Sequence, residues 1–245
     1  MPKNYETGHA RNLANFNEII RYVISYGKSH APPVVSLSLS SLKDKATNVR
    51  NALDLVNRAH AVYNVTLAAK DEELKPLKKL STRVVNLLGI LDLPVSIMDE
   101  AASLIRKMRG KRASTKLSMA TIEALSAKGV EVKQISVSQQ SEDNLIETFD
   151  KLIHLLKTVS TYTPNETDLS IANLEDKLSR LKATHQATAN EAVNLYNARA
   201  NRDLEMYVKV TGMTALAMGT KKYVKAVFGA TSTEYKQISG IEFDQ

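Results

Sequence analysis

The nine residues LSLSSLKDK at positions 37–45 return 132 positions later as LSIANLEDK at 169–177. They share the frame LSxxxLxDK, and a chain that writes one frame twice is expected to fold the same local unit twice. The offset extends well beyond the nonamer. Leu13, Phe16, Ile20 and Val23 form the first apolar stripe of the chain, and Ile146, Phe149, Ile153 and Leu156 repeat it 133 residues further on. Steps of three and four place each set on one face of a helix. A loop with Pro32-Pro33, or with Pro164, follows each stripe, and then residues able to cap a helix: Ser36 or Ser38 in the first case, Asp168 or Ser170 in the second. The long stripes come next. Leu39, Leu42, Ala46, Val49, Leu53, Val56, His60, Tyr63 and Leu67 are matched, each 132 positions on, by Ile171, Leu174, Leu178, Leu181, His185, Thr188, Ala192, Leu195 and Arg199. This spacing is the seam of a coiled-coil-like bundle. Pro76 is expected to break the first long helix. A looser third match pairs Leu87-Leu88-Gly89 with Val227-Phe228-Gly229 at an offset of 140.

These patterns predict an all-α protein, an elongated helical bundle of two tandem homologous helical units. The first unit spans 1–110 and the second 143–245, with a polar, basic linker at 111–142. In each, a shorter helix turns back on a long one and a third segment closes the pair. The units are expected to pack about a pseudo-two-fold axis or to sit as separate beads on the linker. A short helix is expected around 99–109, with a weak helix at 119–127 and an extended piece at 130–137 inside the linker. Few glycines and prolines, nine and six in 245 residues, agree with helices joined by few turns. Cysteine is absent, which excludes disulfides, thiolate nucleophiles and cysteine-ligated metals.

The recurring starts NLANFNEII and NLIETFDKLI, the LSxxxLxDK frames and the ending KKYVKAVFGATSTEYKQISGIEF carry a resemblance. Together they resemble a bacterial family of two-copy helical proteins with no assigned function. The resemblance covers most of the chain outside the linker. It implies the all-α fold, and it implies no activity, ligand or site residues.

The charge is local rather than general. Arg106, Lys107, Arg109, Lys111, Arg112 and Lys116 follow one another without an acidic residue, and the remaining 27 basic residues face 26 acidic ones. This segment is the candidate anion-binding site, an electrostatic arm for the phosphates of nucleic acid or for an anionic membrane. No aromatic residue is interleaved for base stacking, so a solvated connector is the competing reading.

Other chemistry is sparse. Glu6-Thr7-Gly8-His9 is the only Glu-x-x-His spacing, and a di-metal bundle needs two, so no metal is expected. His60 and His185 fall on the seams and are expected to be buried and hydrogen-bonded. Asp44 and Asp176 suit the positive ends of their helices, whereas Lys45 and Lys177 are expected to face solvent. The run Asp71, Glu72, Glu73 reads as a solvated face. No nucleophile elbow, P-loop or dinucleotide fingerprint is present, so no catalytic residue, cofactor or enzymatic activity is expected.

The apolar window VVNLLGILDLPVSIM, 84–98, is too short for a bilayer span and is interrupted by Asp92. Burial between the two units is expected for it. The small side chains of TALAMG, 214–219, are expected to let helices approach closely. The N-terminal residues lack an apolar signal core, and a soluble, cytoplasmic location is expected. The functional expectation is a non-catalytic interaction or scaffold protein that binds a protein partner or itself. The alternative is a nucleic-acid-associated protein using residues 106–116.

Overall fold

The computed structural model describes residues 7–111, 118–128 and 141–244, and all regular structure among them is helical. Helix α1 spans Thr7–Tyr26, α2 Leu39–Leu74, α3 Leu77–Leu88, α4 Val95–Met108, α5 Met119–Ala127, α6 Glu142–Thr158, α7 Ile171–Tyr207, α8 Met213–Phe228 and α9 Thr233–Ser239. Short 3₁₀ turns at Val35–Leu37 and Thr167–Leu169 introduce the long helices α2 and α7. Helix α5 occupies the very residues expected of the weak linker helix. The extended piece at 130–137 lies outside the described residues.

The helix boundaries follow local chemistry. Ser38 and Ser170 are the caps: each hydroxyl accepts the backbone N–H three residues on, from Ser41 and from Asn173, both at 3.3 Å. Asp168 is instead drawn to Arg83. A proline at 76 cannot continue α2, and its carbonyl accepts the first bond of α3 from Leu80 N–H at 2.9 Å. Before α8 the chain folds back so tightly that a Cβ on Gly212 would lie 2.5 Å from the Val208 carbonyl oxygen, which only glycine tolerates.

The contacts divide the chain into two compact units, Met1–Val65 with Ala189–Gln245, and Thr66–Thr188. They are called the α1 unit and the α6 unit below. Repeat boundaries along the sequence and compact units in space are thus different divisions, because the long helices exceed any one core. A helix of 36 residues rises about 54 Å, so α2 gives residues 39–65 to one unit and 66–74 to the other.

In the α1 unit, α1 packs on α8 and α9, and the first 3₁₀ turn packs on α8. Its core includes Leu13, Phe16, Ile19, Val23, Leu42, Val49, Met206, Met213 and Val224. Gly219 sits close to Leu37, where a Cβ would come within 3.1 Å of the leucine side chain, so the small residues of 214–219 do permit a close approach. The buried Lys221 donates to the Ser239 and Ile241 carbonyls at the end of α9, and burial pushes its ammonium pKa down.

In the α6 unit, α4 packs against α6 and α3, and α3 against the second 3₁₀ turn. Its core includes Leu77, Val84, Leu88, Met108, Phe149, Leu152, Leu156, Leu174 and Leu181. The apolar window 84–98 is therefore used inside this unit, with Val84 and Leu88 fully buried while Ile90 and Val95 stand exposed.

Matching contacts recur at the sequence offset. Phe16 and Phe149 are both completely buried, as are Leu42 with Leu174 and Val49 with Leu181. His30 Nε2 donates to the Leu37 carbonyl at 3.0 Å, and the Tyr162 hydroxyl, 132 residues on, donates to the Leu169 carbonyl at 2.8 Å. Burial raises the Tyr162 phenol to about 12. Lys45 Nζ donates to Glu205 Oε2 at 2.7 Å in the α1 unit, and Lys177 donates to Glu73 in the α6 unit. Both pairs join the start of one long helix to the end of the other, each member shifted by 132. The two lysine side chains are 17% and 12% exposed, which corrects their expected solvent position. A lysine one turn into a capped helix reaches a carboxylate only through the fold, so its own sequence neighbourhood carries no sign of burial.

Candidate functional site

The basic segment singled out in the sequence begins as helix. Arg106 and Lys107 occupy the last turn of α4, where positive charge suits the helix C-terminus. Arg106 donates to Ser103 Oγ at 3.2 Å, and Lys107 also has a partner. Arg109, the C-terminal cap, donates through Nε and Nη2 to Thr82 Oγ1 on α3. Lys111 is exposed, while Arg112 and Lys116 lie outside the described residues.

Two rows of exposed apolar side chains stand on the long helices of the α1 unit. On α2 they are Leu55, Val62 and Val65, at 43%, 47% and 69% exposure; on α7 they are Val193, Tyr196 and Leu204. At 3.6 residues per turn each trio falls within an arc of roughly 80°. An apolar arc facing solvent on an otherwise polar helix is the pattern of a contact surface.

A cleft of about 470 Å³ opens between α1, α2 and α7 within the α1 unit. Leu13, Leu53 and Val56 supply apolar wall, and Arg21, Arg50 and Arg202 supply guanidinium groups. His9, Asn17, Asn57 and Asp54 complete the polar lining. Arg202 is 8% exposed, and its one hydrogen bond among the described residues runs from Nε to Asp203 Oδ1 at 3.0 Å. The described residues offer Arg21 and Arg50 no carboxylate within 4 Å. His9 shares a hydrogen bond of 2.6 Å with the Tyr207 hydroxyl.

The matched positions of the α6 unit are closed by ion pairs. Lys70, 132 before Arg202, donates to Glu142 at 2.7 Å, and Lys182, 132 after Arg50, donates to Asp150 at 2.6 Å. His154, 133 after Arg21, also meets Asp150 at 2.9 Å. The Lys182 hydrogen bond, helped by the nearby charges, holds Asp150 below the usual carboxylate range. His185, which stands where the other unit has Leu53, lies 2.9 Å from Asp143 and 3.4 Å from Glu142. On α1 the residues matched to Glu142, Asp143 and Asp150 are His9, Ala10 and Asn17. Basic groups are kept in both units, and these three carboxylates occur in one.

Other sequence expectations resolve as follows. His60 is exposed, whereas His185 is half-buried beside the acids of α6. Asp71 and Glu72 are solvated as expected, but Glu73 turns inward to Lys177 and Arg180. The Lys177 hydrogen bond holds Glu73 below its ordinary pKa. Among the described residues, no group of three or more His, Asp or Glu is placed to hold a metal ion, and no helix is long and apolar enough to cross a membrane. The arginine cleft escaped sequence reading because its residues are scattered singly over three helices. The signal that finds it is the loss of acids when the α1 segment is laid on the α6 segment at the repeat offset.

Comparison with protein-family models, curated protein sequences and solved structures finds no match to this chain.

Proposed function

We propose that this chain is a non-catalytic helical interaction protein, built from two copies of one helical unit offset by about 132 residues. The two-copy reading is supported by contacts that repeat at the offset, above all Lys45 with Glu205 and Lys177 with Glu73. The interaction reading is carried by the solvent-facing apolar rows Leu55, Val62, Val65 and Val193, Tyr196, Leu204. A partner helix laid along such a row would bury surface worth about 25 cal/mol per Å² before the costs of association. The occupant that needs least beyond this chain is a second copy.

Sedimentation velocity over a wide concentration range tests the reading, with wild type compared to Leu55→Lys/Val62→Lys and to Val193→Lys/Tyr196→Lys. Self-association weakened by either pair supports it. Association that survives both pairs, or none at all in wild type, removes the rows as a self-contact surface. The alternative, an electrostatic arm at 106–116, draws on the exposed Arg109 and Lys111. It predicts binding to duplex or single-stranded nucleic acid that falls steeply with salt and flattens when the six basic residues become Gln.

A further inference from the structure

We infer that the cleft between α1, α2 and α7 in the α1 unit is a binding site for a small phosphate-bearing anion, which supplies from outside the charge that the α6 unit supplies from its own carboxylates. In the α6 unit the cations at these positions are neutralised internally, Lys70 by Glu142 and Lys182 and His154 by Asp150. In the α1 unit the cations are retained as Arg202, Arg50 and Arg21, and the matched acids are replaced by the neutral Asn17 and by His9. A neutral amide or imidazole donates hydrogen bonds to an anion and does not repel it.

The kind of anion follows from the groups present. Every cation in the cleft is arginine, whose planar fork matches phosphate oxygens in pairs, while the ion-paired α6 positions hold lysine and histidine. Glu142 and Asp150 together bring two negative charges to the α6 unit, and a phosphate monoester brings about two at neutral pH. Asp54 is the one carboxylate in the lining and leaves the three arginines in excess. Asp203 engages only Nε of Arg202, so the Nη groups keep their donors for a ligand. The volume of about 470 Å³ suits a small molecule, and Leu13, Leu53 and Val56 offer an apolar wall for an organic group on the ester. This reading concerns a ligand site and does not depend on the apolar rows or on self-association.

The test is isothermal titration of the full chain with phenyl phosphate, pyrophosphate and succinate at constant ionic strength. Wild type is expected to bind the two phosphate probes with one site per chain. Asn17→Asp, which writes the α6 carboxylate into the cleft, and Arg50→Gln are each expected to weaken binding about tenfold or more, the size of one lost charge-assisted hydrogen bond. Lys182→Gln, at the matched place in the α6 unit, is expected to leave binding unchanged. Thermal melts of each variant separate loss of the site from loss of the fold. Absence of binding to wild type overturns the inference, as does binding indifferent to Asn17→Asp and Arg50→Gln. Succinate bound as tightly as the phosphates overturns the ligand class.

Discussion

In the α6 unit Lys70 and Lys182 meet carboxylates of α6, while in the α1 unit their counterparts Arg202 and Arg50 share a cleft with His9 and Asn17 of α1. The apolar positions beneath are the same in kind: Phe16 and Phe149, Ile19 and Leu152, and Val23 and Leu156 are all 1% exposed or less. The difference teaches that packing and surface electrostatics are separable. A buried position tolerates little change because each methylene is felt by its neighbours. A half-exposed position can lose an acid at a cost of about 1 kcal/mol or less, which leaves it open to change.

The largest test of this comparison lies in the cores. Phe16→Ala and Phe149→Ala are expected to cost similar amounts, about 3–5 kcal/mol each. Hydrogen exchange read by mass spectrometry would show whether each loss is confined to its own unit. Very unequal costs would mean that the matched cores do not bear equal weight.

Next come the repeated ion pairs. Lys45→Met strands Glu205, which is paired to no other described residue, and is expected to destabilise by about 1–3 kcal/mol. Lys177→Met is expected to cost less, because Glu73 keeps Arg180. Chemical denaturation of both variants checks the order.

Acid should separate the units further. Glu73 and Asp150 have pKa values lowered in the folded state, so their contribution is present above the ordinary carboxylate range and is lost as pH falls through their depressed values. Asp150→Asn is expected to remove part of this acid-side loss at a cost of about 0.5–1 kcal/mol near neutrality, making the α6 unit resemble the α1 unit at Asn17. Exchange rates in α6, followed from neutral to acid pH in wild type and variant, measure it. The smallest effect is expected from Leu55→Lys/Val62→Lys, whose side chains face solvent: stability should move by about 0.5 kcal/mol or less per site while association changes.

Much of the fold was legible beforehand because its signals are local. The stripes at 13–23, 39–67, 146–156 and 171–199 name the helices, Pro76 names the break, and Ser38 and Ser170 are among the residues named as caps. The candidate site was legible only in part. The run at 106–116 is visible as a block of charge, yet Arg106 and Arg109 are hydrogen-bonded to Ser103 and Thr82, and no run of letters records those contacts. Lys45, Lys177 and Glu73 look like ordinary surface charges until partners more than 100 positions away arrive beside them.

What the sequence determined by itself is the helical class and the offset that relates its two halves, since periodicity and capping act over a few residues. Which segments share a core was decided only by tertiary structure. The residues 189–207 of α7 join α1, and 66–74 of α2 join α6, because a helix longer than one core must give its two ends to different neighbours. The same holds for the cleft: Arg21, Arg50 and Arg202 become one site only when three helices bring them together, and charge attracts charge by distance in space, not along the chain.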